Sequence, residues 1–296
     1  MTTPLVIETL SLVAPLGLCF HDAATDEKVN DGLSVSVYPA AQKNIKNIWR
    51  KRTEAFPNRS GVYVLHKAYG LEEFTRGVTA DAEFDKEDKD KKPFIVEVVD
   101  NENRFQSFQF QLTLPVRGIY KWKNIPNGSP NQTLPSIPLF SAATRKASGG
   151  MSVIRAELHE SIEKAASFAV LETRLNGNRV ARGIADKDGK IALFFPSLSP
   201  PESATRVPLA EQQWLLDLTI RYKPSPPVSG SDEEKFPDLE LLAQATGKLW
   251  ANEERTEKFE QATLRFGKEL ILRSRAKTVP GAEPTDSSFL FVNPAP

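Results

Sequence analysis

The sequence is poor in the residues that most often carry chemistry. Cys19 is the only cysteine in 296 residues, so no intrachain disulfide can form, and a zinc site built from several cysteines is excluded. Disulfide-held secreted frameworks fall away with it, and a reducing compartment fits better. Histidine is scarce too: His21, His66 and His159 are the only three and stand far apart along the chain. No apolar window is long enough to cross a bilayer. The stretch PLVIETLSLVAPLGLCF (4–20) is broken by Glu8, Pro15 and Gly17 and has no basic leader. It therefore resembles neither a signal peptide nor a membrane span, and the expected location is the cytoplasm or an assembled particle released from or anchored in the cell.

An excess of charge of either sign is also missing, with 38 basic and 38 acidic residues. Broad nucleic-acid binding needs a positive excess to displace counterions, so no nucleic-acid partner is expected. The run IKNIWRKR, with Lys43 before it and Trp49 inside it, is locally basic over 43–52. A solvated edge or a subunit contact accounts for it more simply than a phosphate site.

Turn formers and short apolar runs are what the chain does have. Its 22 prolines and 16 glycines punctuate stretches that alternate with period two. In GLSVSVYP (32–39), Leu33, Val35 and Val37 share one face and the serines the other. SGVYVLHKAYGL, FIVEVVD, RFQSFQFQLTLP, MSVIRAELHE and WLLDLTIRYKP read as further strands. Asn176-Gly177 and the DKDG turn at 186–189 each favour a tight hairpin, because Asn, Asp and Gly adopt left-handed backbone readily. Val170, Val180, Ile184, Ile191, Leu193 and Phe195 are the expected inward layer of a sandwich. ANEERTEKFEQA permits a short helix, QATLRFGKELILRSR reads as two strands bent at Gly267, and SSFLFVNP as a closing edge strand or a docking segment.

The fold class that follows is mainly β: two β-sandwich-like modules with Pro/Gly-rich connections and at most short helices. An N-terminal β domain is expected over 1–123 and an ordered connecting segment over 124–150, where LPSIPLFSAATR is apolar enough to pack onto a domain. A second β-sandwich domain is expected over 151–278 and a tail or edge strand over 279–296. The stretches DAEFDKEDKDKK and PSPPVSGSDEEKFPD read as surface loops.

Catalytic and ligand motifs are wanting. Phosphate loop, dinucleotide fingerprint, zincin motif and Gly-x-Ser-x-Gly elbow are all absent. His21 and Asp22 are adjacent, so on a strand they point to opposite faces and make a poor acid–base pair. Cys19 and His21 would face the same way on a strand, but no orienting group or oxyanion site accompanies them, and a buried apolar cysteine is the better reading. Asp81, Asp85, Asp88 and Asp90 lack calcium-loop spacing, and turn chemistry already explains Asp186 and Asp188. Trp49, Trp122, Trp214 and Trp250 follow no repeated spacing that would suggest a stacking platform. Phe108 and Phe110 share a strand face while Phe105 falls opposite, which two buried faces, or one core face and one contact face, would accommodate, exposed aromatics at a subunit interface being an economical explanation. No catalytic, cofactor-binding or metal-ligating residue is assigned, and no cofactor is expected.

RVARGIADKDGKIALFFP (179–196) resembles the hairpin of carboxypeptidase-regulatory-like, prealbumin-type β-sandwich modules. The order FIVEVVDNENRF, LTLPVRGIY, IPLFSAATRKASGGMSVIRAEL, this hairpin and then RFGKELILRS resembles accessory proteins of phage-tail-like contractile injection systems, over most of 30–275. That resemblance implies a non-enzymatic structural or adaptor subunit whose partners are other subunits of a large assembly, and it offers no catalytic residues to carry over. A carbohydrate- or ligand-binding sandwich is the alternative.

Overall fold

The computed structural model describes residues 14–40, 52–71, 91–116, 118–122, 135–199, 208–224, 236–274 and 289–293. The basic run around Trp49, the aspartates at 81–90 and most of the loop at 224–238 lie outside the described residues. The chain is mainly β, and the helical elements described are 3-10 turns such as Leu209–Glu211 and Leu239–Ala243. It divides into two compact units, one formed by 1–20, 28–98 and 109–137, the other by 21–27, 99–108 and 138–296.

The first unit is built on β1 (Leu16–Leu18), β3 (Leu33–Pro39), β4 (Thr53–Pro57), β5 (Tyr63–Leu65) and most of β6 (Lys92–Asp100) and β7 (Phe108–Leu114); β2 (Phe20–Asp22) and β8 (Ile137–Leu139), most of whose residues belong to the second unit, pair with each other. The strand order in its six-stranded sheet is β1-β5-β4-β3-β6-β7. Alternation decides the buried face of β7, where Phe110, Leu112 and Leu114 are buried and the glutamines and threonine between them are not. Phe20 meets Tyr63 edge to face at 5.4 Å, and Phe110 stacks on Tyr120 at 5.7 Å. Ser36 is buried along with Val35 and Val37, so β3 is covered on both faces at that point.

The second unit is a sandwich. Its larger sheet contains β9 (Met151–Ser161), β10 (Lys164–Ala165), β13 (Lys190–Pro196), β15 (Lys248–Trp250), β17 (Leu270–Ile271) and β18 (Phe289–Asn293). The smaller sheet has the order β12-β11-β14-β16, from β11 (Val170–Leu175), β12 (Asn178–Ile184), β14 (Gln213–Arg221) and β16 (Gln261–Arg265). β9 is paired along both edges, antiparallel with β13 and β10 and parallel with β17 and β18. Ile154, Leu158, Leu193 and Phe195 from the larger sheet pack with Leu171, Leu216 and Ile220 from the smaller one.

Several expectations change here. The stretch at 179–196 is not a hairpin between ladder partners: β12 pairs with β11, and β13 pairs with β9 in the other sheet. The DKDG turn therefore carries the chain from one layer to the other. Gly183 makes this possible, because a Cβ there would stand 2.7 Å from Leu193 Cδ2. The inward layer on β13 is Ile191, Leu193 and Phe195, as its alternation predicts. On β11 and β12, however, Leu171 and Ala181 face the core with Val180 half-buried against them, while Val170 and Ile184 are buried outside that cluster. A β-bulge opposite Thr173 and Arg174 inserts Val180 and breaks the simple alternation. The segment ANEERTEKFEQA forms no helix. Asn252 Oδ1 accepts from the backbone N–H of Thr256 at 3.1 Å and Glu257 at 3.2 Å, which fixes a turn instead. The C-terminal strand is not at an edge, since β18 lies between β9 and β15.

The stretch before β9 is held by arginines. Arg145 donates to Asp22 Oδ2 at 2.6 Å and Ser141 Oγ at 2.9 Å, with its guanidinium over the rings of Phe105 and Phe194. Arg155 donates to the carbonyls of Ala143 and Arg145. The outer side of β13 is thereby covered as well, and Phe194 is buried with Ala24 and Val153.

Two turn glycines should respond differently to a methyl group. Both have positive φ, but at Gly177 the space beside Cα is open, whereas at Gly189 a Cβ would stand 2.2 Å from the Leu158 carbonyl oxygen. Gly177→Ala is expected to cost about 1–2 kcal/mol for the left-handed backbone alone. Gly189→Ala should cost about 3 kcal/mol or more, because overpacking is added. Urea unfolding followed by circular dichroism measures both; equal losses would contradict the close approach at Gly189.

Candidate functional site: the outer face and open edge of the smaller sheet

The residues that the sequence brings forward for chemistry are spread apart and occupied. Cys19 is buried, and burial pushes its thiol up, with Lys28 opposing. Burial pushes His21 down, against the pull of Asp26 and Asp22. The two shifts favour the neutral thiol and the neutral imidazole, the reverse of an activated thiolate–imidazolium pair. Asp22 is engaged by the backbone N–H of Ala24 at 2.8 Å and by Arg145. His66 is exposed. His159 is buried, stacked on Phe289 at 3.9 Å, with its ring nitrogens near the Ser161 carbonyl and Glu157 Oε1. Asp186 closes its own turn, accepting from the N–H groups of Asp188 at 2.9 Å and Lys190 at 2.8 Å. Among the described residues no three His, Cys, Asp or Glu side chains are grouped to hold a metal ion.

The aromatic side chains that the sequence brings forward do not supply a contact face among the described residues, although Phe56 and Tyr69 of the first unit are exposed. Phe105, Phe108, Phe110, Trp122 and Trp214 are all buried, so of the two readings of 105–110 the burial fits two covered faces and not a contact face. The large exposed apolar side chains of the sandwich are aliphatic: Ile162, Leu209, Leu215 and Ile271. Leu215 is 55% exposed and Ile271 51%, and both line one groove of about 490 Å³ between β16 and β17. Among the described residues β16 is the last strand of its sheet, and Leu215 stands opposite Thr263 in the ladder. A second, polar groove of about 600 Å³ opens where the β14–β16 ladder ends, between Thr219, Lys248, Phe259 and Glu260, with Gln261 donating to Asp217 at 2.8 Å on its rim.

The outer face of the smaller sheet is basic around one buried acid. Ladder register puts Glu172 opposite Arg182 and Thr219, Arg174 opposite Arg179 and Asp217, and Val170 opposite Arg221. Glu172 is 1% exposed. Its Oε1 accepts from Arg174 at 2.8 Å; its Oε2 accepts from Arg182 Nε at 2.8 Å and Nη2 at 2.5 Å. Burial alone would raise the Glu172 pKa, but the hydrogen bonds from Arg174 and Arg182 and the charges of Arg182 and Arg179 outweigh it and hold the carboxyl below its ordinary range. Nothing in the composition marks this cluster. Only the alternation of arginines in LETRLNGNRVARG, taken with the right strand pairing, could have revealed it.

No family model matches the sequence, and no curated protein does. Among solved structures, the Bacillus anthracis TIE protein is similar over 96% of this chain and 48% of its own, at 8% identity and a TM-score of 0.22. The chain thus spans about half the length of that structure, and a likeness this slight carries no argument about fold or function.

The cluster makes a prediction with a definite sign. Glu172→Gln leaves the partly buried Arg182 without its counter-charge and should cost about 2 kcal/mol at neutral pH, less than a fully buried pair because Arg174 is 43% exposed. The folded pKa is depressed, so this stabilisation is present above the unfolded carboxylate value near 4.3 and is lost as pH falls through the folded pKa. Thermal melts of both proteins should converge only in acid, once pH has fallen below the depressed folded-state pKa. A gap that persists or widens in acid would exclude the ionised carboxylate as its source.

Proposed function

We propose that this protein is a non-enzymatic structural or adaptor subunit of a large protein assembly, a particle of the phage-tail-like contractile injection kind. The supporting observation is the groove between β16 and β17, where two aliphatic side chains are left half in water beside the end of a sheet. An open strand edge beside exposed apolar side chains is suited to strand addition or to anchoring a partner's side chain. The mechanism is mechanical: the rigid sandwich holds the groove, and a neighbouring subunit fills it. A stable contact of about 1,200–2,000 Å² would extend well beyond this anchor.

Cross-linking mass spectrometry on the protein recovered at low shear from its own cells tests the reading. Cross-links to sheath, tail or baseplate subunits are expected, and Leu215→Asp with Ile271→Asp should reduce them about tenfold or more, as for an anchor worth about 2 kcal/mol. A monomer without protein partners would sink the proposal. The second reading, a glycan or small ligand in the polar groove, has the observed polar lining in its favour, but Phe259 is the only aromatic side chain on that lining.

A further inference from the structure

The arginine face is distinct from the groove and is only half used. Arg174 and Arg182 are spent on Glu172. Arg179 is exposed and makes no ion pair or hydrogen bond among the described residues. Arg221 donates from Nη1 to the Gln244 carbonyl at 2.8 Å, but has no carboxylate partner among the described residues, and its buried Nε has no acceptor. The four guanidiniums are close enough to act on one another: Arg179 is repelled by Arg182, Arg174 and Arg221 and attracted by Glu172 alone. Glu172 and Asp217, the latter opposite Arg174 in the ladder, are therefore the two acids set against four guanidiniums on this face. Asp217 also accepts a hydrogen bond from Gln261.

We infer that this sheet face binds an acidic protein segment, whose carboxylates pair with Arg179 and Arg221 and complete the charge balance that Glu172 only begins. Guanidinium forks suit carboxylates, and on this face Arg182 already places two donors on Glu172 Oε2 while Arg174 takes Oε1. A nucleic-acid backbone suits the face less well. It carries a continuous row of charge and needs an extended basic track, whereas this cluster is compact, has an acid at its centre and sits on a chain with no net charge to draw a polyanion from afar. The inference names the chemistry of a partner and rests on the assembly reading only for where that segment comes from.

The test uses the full chain and a fluorescein-labelled oligoglutamate peptide, read by anisotropy at low salt, with single-stranded DNA and inorganic phosphate as parallel probes. Oligoglutamate should bind, salt should weaken it, and Arg179→Glu should weaken it about tenfold or more. Arg179 supports no internal pair, so this variant should keep the wild-type circular dichroism spectrum; Arg221→Met provides a second variant with the same expected direction. Binding that neither variant changes, an absence of binding, or DNA binding more tightly than oligoglutamate at the same residues would each overturn the inference. The particle experiment separates the two claims. Cross-links lost with Leu215→Asp but untouched by Arg179→Glu defeat only this inference, and an absence of any cross-link defeats only the assembly reading.

Discussion

Burial of one apolar layer between β9–β13 and β11–β14 is the interaction on which the second unit depends. Ile154, Leu158, Leu193 and Phe195 leave water against Leu171, Leu216 and Ile220, and each such side chain contributes roughly 1.5–3 kcal/mol. Two glycines let the layer close tightly: Gly189 against the Leu158 carbonyl, and Gly183 beneath the tip of Leu193. That closeness explains why the Asp186–Gly189 turn passes between sheets. Two strands side by side in one ladder would keep Leu193 and Ala181 on a common face, whereas here they meet from opposite layers.

Once the inner face is committed, the outer face of the smaller sheet follows from register alone. The residues that alternate with Leu171 on β11 are Val170 and Glu172, and the bulge at Val180 brings Arg179 opposite Arg174. A carboxylate is then buried where hydrogen bonds from two guanidiniums must compensate its lost hydration. Such clusters add little net stability over an apolar alternative, but they hold their members in place. Arg174 and Arg182 are held in place in this way, and Arg179 stands exposed beside them.

Arginine performs a related role on the larger sheet with a different outcome. Arg145 and Arg155 lie over Phe194, bind the carbonyls of Ala143 and Arg145, and reach Asp22 and Glu269, so their charges are consumed by the structure. On the smaller sheet Arg179 and Arg221 have no ion pair among the described residues, and while Arg221 still ties down the Gln244 carbonyl, Arg179 is exposed.

Local pattern was legible wherever one residue type or one short period decided it. Period-two alternation determined β7, β9, β13 and β14; Asn176-Gly177 determined the β11–β12 hairpin; Gly267 determined the bend between β16 and β17. The mainly β class and the scarcity of helix follow from the same signals. Pairing was not legible, because hydrogen-bond partners far apart in sequence leave no local trace. Only the tertiary structure put β18 between β9 and β15, sent β13 to β9 and buried Phe105 under Arg104 and Arg145. It also decided which arginines share a face with Glu172, since a one-residue bulge reverses the side to which every later side chain points. Sequence determined which segments extend and where they turn; the cost of leaving apolar faces and buried charges unmatched determined which segments meet.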